Sequence, residues 1–290
     1  MFIPNAPIIE RVHTKILFNG RIVAAPEARL TAVSSAALYG KGVFTTVAIR
    51  DGKPFLWEKH LSRLKRDASV VGIDISYHAD GSIRKALDRI ITENGVSVGR
   101  ARITLFEDSP GTIWSYQSEN KTALLITTAD RRSVSRVFRL TFSPFRINSA
   151  SPLAGVKSCN YLEKTLAIGE AKRRGFDEAV QLNERGEITS ACMANLFWLK
   201  DGVLHTPPAE TGCLAGTTRE FVMENLDCVE VVADAGKLKA ADSIFLTSAG
   251  LGVAAVSEFE GKKLETPLHP ILSLLPPDIF RHEKNTNPSR

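Results

Sequence analysis

Three dipeptides, Asn19-Gly20, Asp51-Gly52 and Asp201-Gly202, each stand between runs of strand-forming residues. Such pairs tolerate positive φ at both central positions of a type I′ turn, whose twist matches two antiparallel strands. One of these turns is flanked by Val47-Ala48-Ile49 and Phe55-Leu56-Trp57. The chain is therefore committed to antiparallel hairpins in both halves, and Arg185-Gly186 is read as a fourth.

Helices are expected between the hairpins. Leu61, Leu64, Ala68 and Val71 recur at helical spacing within Glu58 to Val71, and Ile83, Leu87, Ile90 and Ile91 do so ahead of Gly95, a C-terminal cap. Tyr161 to Arg174 reads as a third helix stopped by Gly175, and a fourth begins at Thr217 and ends near Leu226. The polar segment Ala129 to Ser133 divides the chain into two expected domains, 1–129 and 130–290. His282 to Arg290 is polar and is expected to fray.

With 290 residues, 43% hydrophobic and 24% charged, the chain can bury two modest cores. The net charge of +5 is spread among acids, as in Glu58-Lys59 and Glu163-Lys164, and aromatic content is 7%. That pattern argues against nucleic-acid binding. No apolar run approaches the roughly 20 residues that span a bilayer, so no membrane partner is expected. Met1-Phe2-Ile3-Pro4 does not read as a signal peptide. Cysteines 159, 192, 213 and 228 show no paired spacing, and no metal site is expected. A reducing, cytoplasmic setting follows.

Four short segments carry the chemistry. They are Val156-Lys157-Ser158-Cys159-Asn160-Tyr161-Leu162, Asp177-Glu178-Ala179, Ala194-Asn195-Leu196-Phe197-Trp198 and Gly216-Thr217-Thr218-Arg219. In this order and spacing they resemble the class IV aminotransferases, which use pyridoxal 5′-phosphate (PLP). The resemblance spans roughly residues 15 to 260 and implies an α+β, two-domain fold of PLP fold type IV. A smaller N-terminal α/β domain would precede a larger C-terminal domain with a β-barrel-like core. It also implies a homodimer acting on a small-molecule amine or amino acid.

The resemblance assigns roles by position. Lys157 would form the Schiff base and then shuttle protons. Arg63, in His60-Leu61-Ser62-Arg63-Leu64, would hold the phosphate with a guanidinium fork. Thr217 and Thr218 would add donors at a helix start, where unpaired N–H groups and the dipole attract anions. The turn Thr247-Ser248-Ala249 would complete the phosphate site through Ser248 and Ala249. Tyr161 would reach the phenolic oxygen of PLP. Arg102 is read either as an acceptor for a substrate carboxylate or as an exposed arginine on a strand edge.

One position departs from the family. A glutamate five residues before the Asn of Asn-Leu-Phe contacts the pyridine nitrogen there, but counting back from Asn195 gives Ser190. Glu187 is an odd number of positions away and would face the other side of an extended strand. A serine hydroxyl can donate to an unprotonated nitrogen, which weakens the electron sink and biases the chemistry away from full transamination.

Within the family, Tyr39-Gly40-Lys41-Gly42-Val43-Phe44-Thr45-Thr46 is similar to the strand of aminodeoxychorismate lyases whose threonine, here Thr45, assists proton transfer. Tyr161 is closer to branched-chain aminotransferases, and Lys41 replaces an aspartate common to all branches. The sequence thus points to a lyase, with an amino-acid transaminase of branched-chain or D-amino acid type as the alternative. A non-catalytic binding protein on the same fold is the reading from another class.

Overall fold

The computed structural model describes residues 12–76, 78, 81–109, 121–131 and 138–276. The start of the chain, Arg132-Ser133 and the tail from His282 lie outside the described residues. Two compact units are formed, one within Met1–Arg132 that also takes in Val156–Asn160, the other within Ser133–Gly155 and Tyr161–Arg290.

The first unit contains β1 (Lys15–Phe18), β2 (Arg21–Ala24), α1 (Ser35–Tyr39), β3 (Gly42–Arg50), β4 (Lys53–Pro54), α2 (Trp57–Val70), α3 (Ser82–Glu93), β5 (Gly99–Glu107) and β6 (Thr122–Asp130). Its strands form one antiparallel sheet in the order β2-β1-β6-β5-β3-β4. Asn19 and Gly20 adopt φ of 47° and 79° between β1 and β2, and Asp51-Gly52 repeats that turn between β3 and β4.

Alternation along β3 and β5 separates two faces. Val43, Val47 and Ile49 of β3, with Ala101, Ile103 and Leu105 of β5, pack against Leu64 and Ala68 of α2 and Ile83, Leu87, Ile90 and Ile91 of α3. Thr45 lies in that helix-facing row and is fully buried. Phe44, Arg102 and Thr104 occupy the opposite face.

The second unit contains β7 (Phe138–Phe142), α4 (Leu162–Arg173), β8 (Glu178–Leu182), β9 (Ile188–Ala191), β10 (Asn195–Lys200), β11 (Val203–Thr206), α5 (Thr217–Asn225), β12 (Val229–Glu230), α6 (Ala235–Lys239), β13 (Ser243–Ser248), β14 (Gly252–Phe259) and β15 (Lys262–Lys263). The main sheet runs β12-β11-β10-β13-β14-β7-β8-β9, with β15 on β14. Although β9 is an edge and β10 lies toward the other end, the N–H of Ala191 donates to the carbonyl of Ala194 at 3.0 Å. The sheet therefore curls on itself as a half-barrel. Leu140, Val180, Leu196, Ile244, Leu246 and Val256 belong to its core.

Asp201-Gly202 joins β10 to β11 as the turn chemistry requires. The hairpin at Arg185-Gly186 forms differently. Its turn runs from Asn183 to Glu187 and only Gly186 takes positive φ, because Asn183 and Glu187 close it by a backbone hydrogen bond of 2.9 Å. A fifth hairpin, Glu260-Gly261 between β14 and β15, also has positive φ at both positions.

Candidate active site

Lys157 lies next to Ser158, which makes an isolated antiparallel bridge to Val43 of β3. The Lys157 carbonyl accepts the N–H of Phe44 at 2.9 Å, and the N–H of Cys159 donates to the carbonyl of Gly42 at 2.8 Å. Asp67 of α2, 1% exposed, accepts the backbone N–H of Lys157 on Oδ2 at 3.0 Å. From this segment Lys157 Nζ reaches 4.5 Å from the centre of the Phe44 ring. The Arg102 guanidinium lies 3.5 Å from the same ring centre. Two cations thus share one aromatic surface, which favours an anionic group beside the amine. Arg102 is exposed as the sequence allowed, but β5 is paired on both sides, so it does not stand on a strand edge.

On the helix side of the same sheet, α2 buries polar groups beside Leu64 and Ala68. His60, Arg63 and Asp67 are all buried. Thr45 Oγ1 is 2.7 Å from His60 Nδ1 and accepts from Arg63 Nη2 at 2.9 Å. Burial, then the charges of Arg63 and Lys157, push the His60 imidazole down to about 3. It is therefore neutral at physiological pH. Lys41 forms an ion pair with Glu107.

The second unit brings together the other candidates. Gly216 is the N-terminal cap of α5 and, having no side chain, makes no side-chain cap bond of its own. Thr217 and Thr218 are buried at this start. Asn195 holds the approach by donating from Nδ2 to the carbonyl of Leu214 at 2.7 Å, while its Oδ1 stands 1.9 Å from where a Cβ on Gly216 would be. Thr247 faces Asn195 across the β10–β13 pair, and its buried hydroxyl has no hydrogen-bond partner among the described residues. A helix start held by Asn195 and the buried Thr247 hydroxyl across from that same Asn195 are groups suited to an anion. Ser248 accepts the N–H of Leu251 at 3.2 Å and Ala249 follows it in the turn. Arg219 is turned away, donating to the carbonyl of Pro207 at 2.8 Å and pairing with Glu230.

Tyr161 is the N-terminal cap of α4. Ser190 is 3% exposed on β9 and pairs with Gln181 of β8. The ladder shifts register beside this pair, so a bulge is present. Glu187 nonetheless stays outside the strand, bonded by Arg185 Nη2 at 2.6 Å and Asn183 Nδ2 at 2.7 Å. Glu178 is 4% exposed and accepts the N–H groups of Ala179, Cys192 and Met193 at 2.9, 3.1 and 3.0 Å. Desolvation pushes its carboxyl up against those bonds. The four cysteines are free, and burial pushes Cys192 up to about 12.

The sequence pattern of the family described as amino-transferase class IV matches residues 42–259. The chain belongs to that family. Aminodeoxychorismate lyase of Bacillus subtilis (strain 168) is 27% identical over 256 residues, covering 84% of this chain and 86% of the relative. Branched-chain-amino-acid aminotransferase of Escherichia coli (strain K12) is 25% identical over 263 residues, covering 85% of each. Among solved structures, the branched-chain aminotransferase of Thermoproteus uzoniensis with norvaline superposes with a TM-score of 0.83 at 26% identity, covering 90% of this chain and 92% of that one.

The class IV fold, with its antiparallel N-terminal sheet and curled C-terminal sheet, is thus the fold-type IV architecture of PLP-dependent enzymes. The family uses pyridoxal 5′-phosphate. The residues present fit that group. Taken by itself, each unit carries groups suited to it: a primary amine and a buried guanidinium in the first, and in the second a glycine-capped helix start and the buried Thr247 hydroxyl. Sequence reasoning missed His60 and Asp67. Their i, i+3, i+7 spacing with Arg63 was the available signal, a polar stripe on the buried side of an amphipathic helix.

Proposed function

We propose that this class IV enzyme is a 4-amino-4-deoxychorismate lyase, releasing pyruvate and leaving 4-aminobenzoate. The observation that carries the reading is the buried serine, Ser190, at the position where the family resemblance calls for a glutamate, with Glu187 held elsewhere by Arg185 and Asn183. Bound PLP supplies a carbonyl for the substrate amine and an electron sink for the adjacent carbon.

Lys157 is the base. Its amine, once displaced by substrate, removes the proton from the carbon bearing the substrate nitrogen. The ether bond to the enolpyruvyl group then breaks, and that group takes up a proton to leave as pyruvate while the ring becomes aromatic. Arg102, beside Phe44, holds a substrate carboxylate. Arg63, Thr217, Thr218, Ser248 and Ala249 bind the phosphate, and Tyr161 the phenolic oxygen. Thr45 serves proton transfer only through what it touches, Arg63 and His60.

The substrate is a small-molecule amine, and we read the enzyme as a cytoplasmic homodimer. Among the described residues no helix is long and apolar enough to cross a membrane. Amino-acid transamination is the second reading, favoured by the similarity to the E. coli aminotransferase.

The test combines PLP titration, borohydride reduction and peptide mapping with two assays. Label on Lys157 together with pyruvate and 4-aminobenzoate release supports the lyase. Label with keto-acid formation from amino acids, and no pyruvate from aminodeoxychorismate, replaces it with the transaminase. Absence of label on Lys157 favours a non-catalytic binding protein.

A further inference from the structure

Strand β5 carries arginine at two successive positions of one face. Ala101, Ile103 and Leu105 enter the core under the helices, so Arg100, Arg102 and Thr104 share the other side. The register of the neighbouring strands arranges that side in levels. Thr104 lies opposite Phe44 of β3, Arg102 lies between Thr46 of β3 and Thr127 of β6, and Arg100 lies between Ala48 and Ala129. Lys157 belongs to the Phe44 level, since its carbonyl accepts the Phe44 N–H and its amine lies 4.5 Å from that ring centre. Lys157, Arg102 and Arg100 therefore stand at successive levels, with alternate residues of the strand about 6.7 Å apart.

The acids of these three strands stand in the other row. Glu107 follows Leu105, Asp130 follows Thr128, which is opposite Ala101, and β3 has none. Arg102 is fixed on its own face, with Nε donating to Thr104 Oγ1 at 3.3 Å and the guanidinium 3.5 Å from the Phe44 ring centre. Arg100 is half-buried and has only methyl groups opposite it on either strand. A guanidinium presents a fork of donors to a carboxylate. One arginine near the amine suits the single carboxylate of an ordinary amino acid, and a second, one level farther, suits a carboxylate that such a substrate lacks.

We propose that Arg100 is a specificity-determining residue that binds the second carboxylate of an amine substrate carrying two. The proposal rests on the reading above of Lys157 as the place of the amine and of Arg102 as the acceptor of the first carboxylate. Aminodeoxychorismate belongs to this class: one carboxylate lies across the ring from the amine, and the other ends the enolpyruvyl arm.

The experiment titrates the full-length, PLP-loaded protein in a calorimeter with isophthalate and with benzoate, unreactive probes that differ by one carboxylate. The wild type is expected to bind isophthalate about tenfold more tightly, the worth of one charge-assisted contact. In Arg100→Met that preference should fall to about one while benzoate affinity holds, and Arg100→Lys should keep part of it. Arg50→Met, at the next position of this face on β3, should keep all of it. No preference in the wild type, or an unchanged one in Arg100→Met, overturns the inference. So does an equal fall in Arg50→Met, which would make the preference a matter of net charge. Borohydride labelling of Lys157 and pyruvate release from aminodeoxychorismate, run on the same wild-type sample, test the reading beneath; their absence where isophthalate is still preferred overturns that reading alone.

Discussion

The carboxylate of Asp67 accepts the backbone N–H of Lys157 from 90 residues away in the chain, at 3.0 Å. Helix α2 thereby holds the peptide that carries the Lys157 amine. Asp67→Ala leaves that N–H without its acceptor, at a cost of about 1–3 kcal/mol, and is expected to slow borohydride-trappable adduct formation on Lys157 about tenfold or more. Asp67→Asn keeps an oxygen in place and should stay within about threefold of wild type. Trapping rates, with melting curves alongside, decide it; wild-type rates in Asp67→Ala would dismiss the role.

Gly216 has no room for a side chain. A Cβ there would sit 1.9 Å from Asn195 Oδ1, itself held by the Leu214 bond. Gly216→Ala should displace the start of α5 and weaken PLP binding by about tenfold, roughly 1.4 kcal/mol. Affinity for pyridoxal, which lacks the phosphate, should change little. Fluorescence titrations with both compounds make the comparison, and equal losses for the two would point to general damage instead.

Thr45 touches Arg63 and His60 on the helix side of the sheet. If its work is to hold Arg63, Thr45→Val should raise the Kd for PLP about fivefold, the worth of about 1 kcal/mol, and leave kcat at saturating PLP close to wild type. A large fall in kcat at unchanged Kd would instead make it a direct participant in proton transfer.

His60 gives stability a dependence on pH whose sign is fixed. Burial pushes its folded pKa down from the ordinary 6.5 to about 3, so between those values the unfolded chain binds the extra proton. The stabilisation is whole above pH 6.5 and is lost as pH falls toward 3. On moving from pH 7 to pH 5 the loss from this group is about 2 kcal/mol. Urea unfolding of wild type and His60→Gln at both pH values should show that the variant loses less; parallel losses would remove His60 as the source.

Much of the fold was legible because its determinants are local. Asn19-Gly20, Asp51-Gly52 and Asp201-Gly202 need positive φ wherever they occur, and the hairpins followed. The family was legible through the ordered motifs around Lys157 and Gly216-Thr217-Thr218. What stayed hidden was polarity in the wrong place. A helical period assigns charged residues to the solvent side, so His60 and Asp67 were passed over on a face that proved buried. Lys164 was counted with Glu163 as interspersed surface charge, yet its amine reaches Gln181. Nor does sequence reveal which strand is interior, and Arg102 accordingly sits on a strand paired on both sides.

The buried stripe of α2 also carries a cost in robustness. A helix covering a sheet gains most by presenting leucine, and replacing His60 or Asp67 with an apolar residue of similar volume, together with their partners, would leave a tougher and simpler protein. A lineage freed from catalysis drifts in that direction. Here His60, Arg63 and Asp67 lie buried together on one face, so the helix gives up robustness for a polar face toward the sheet.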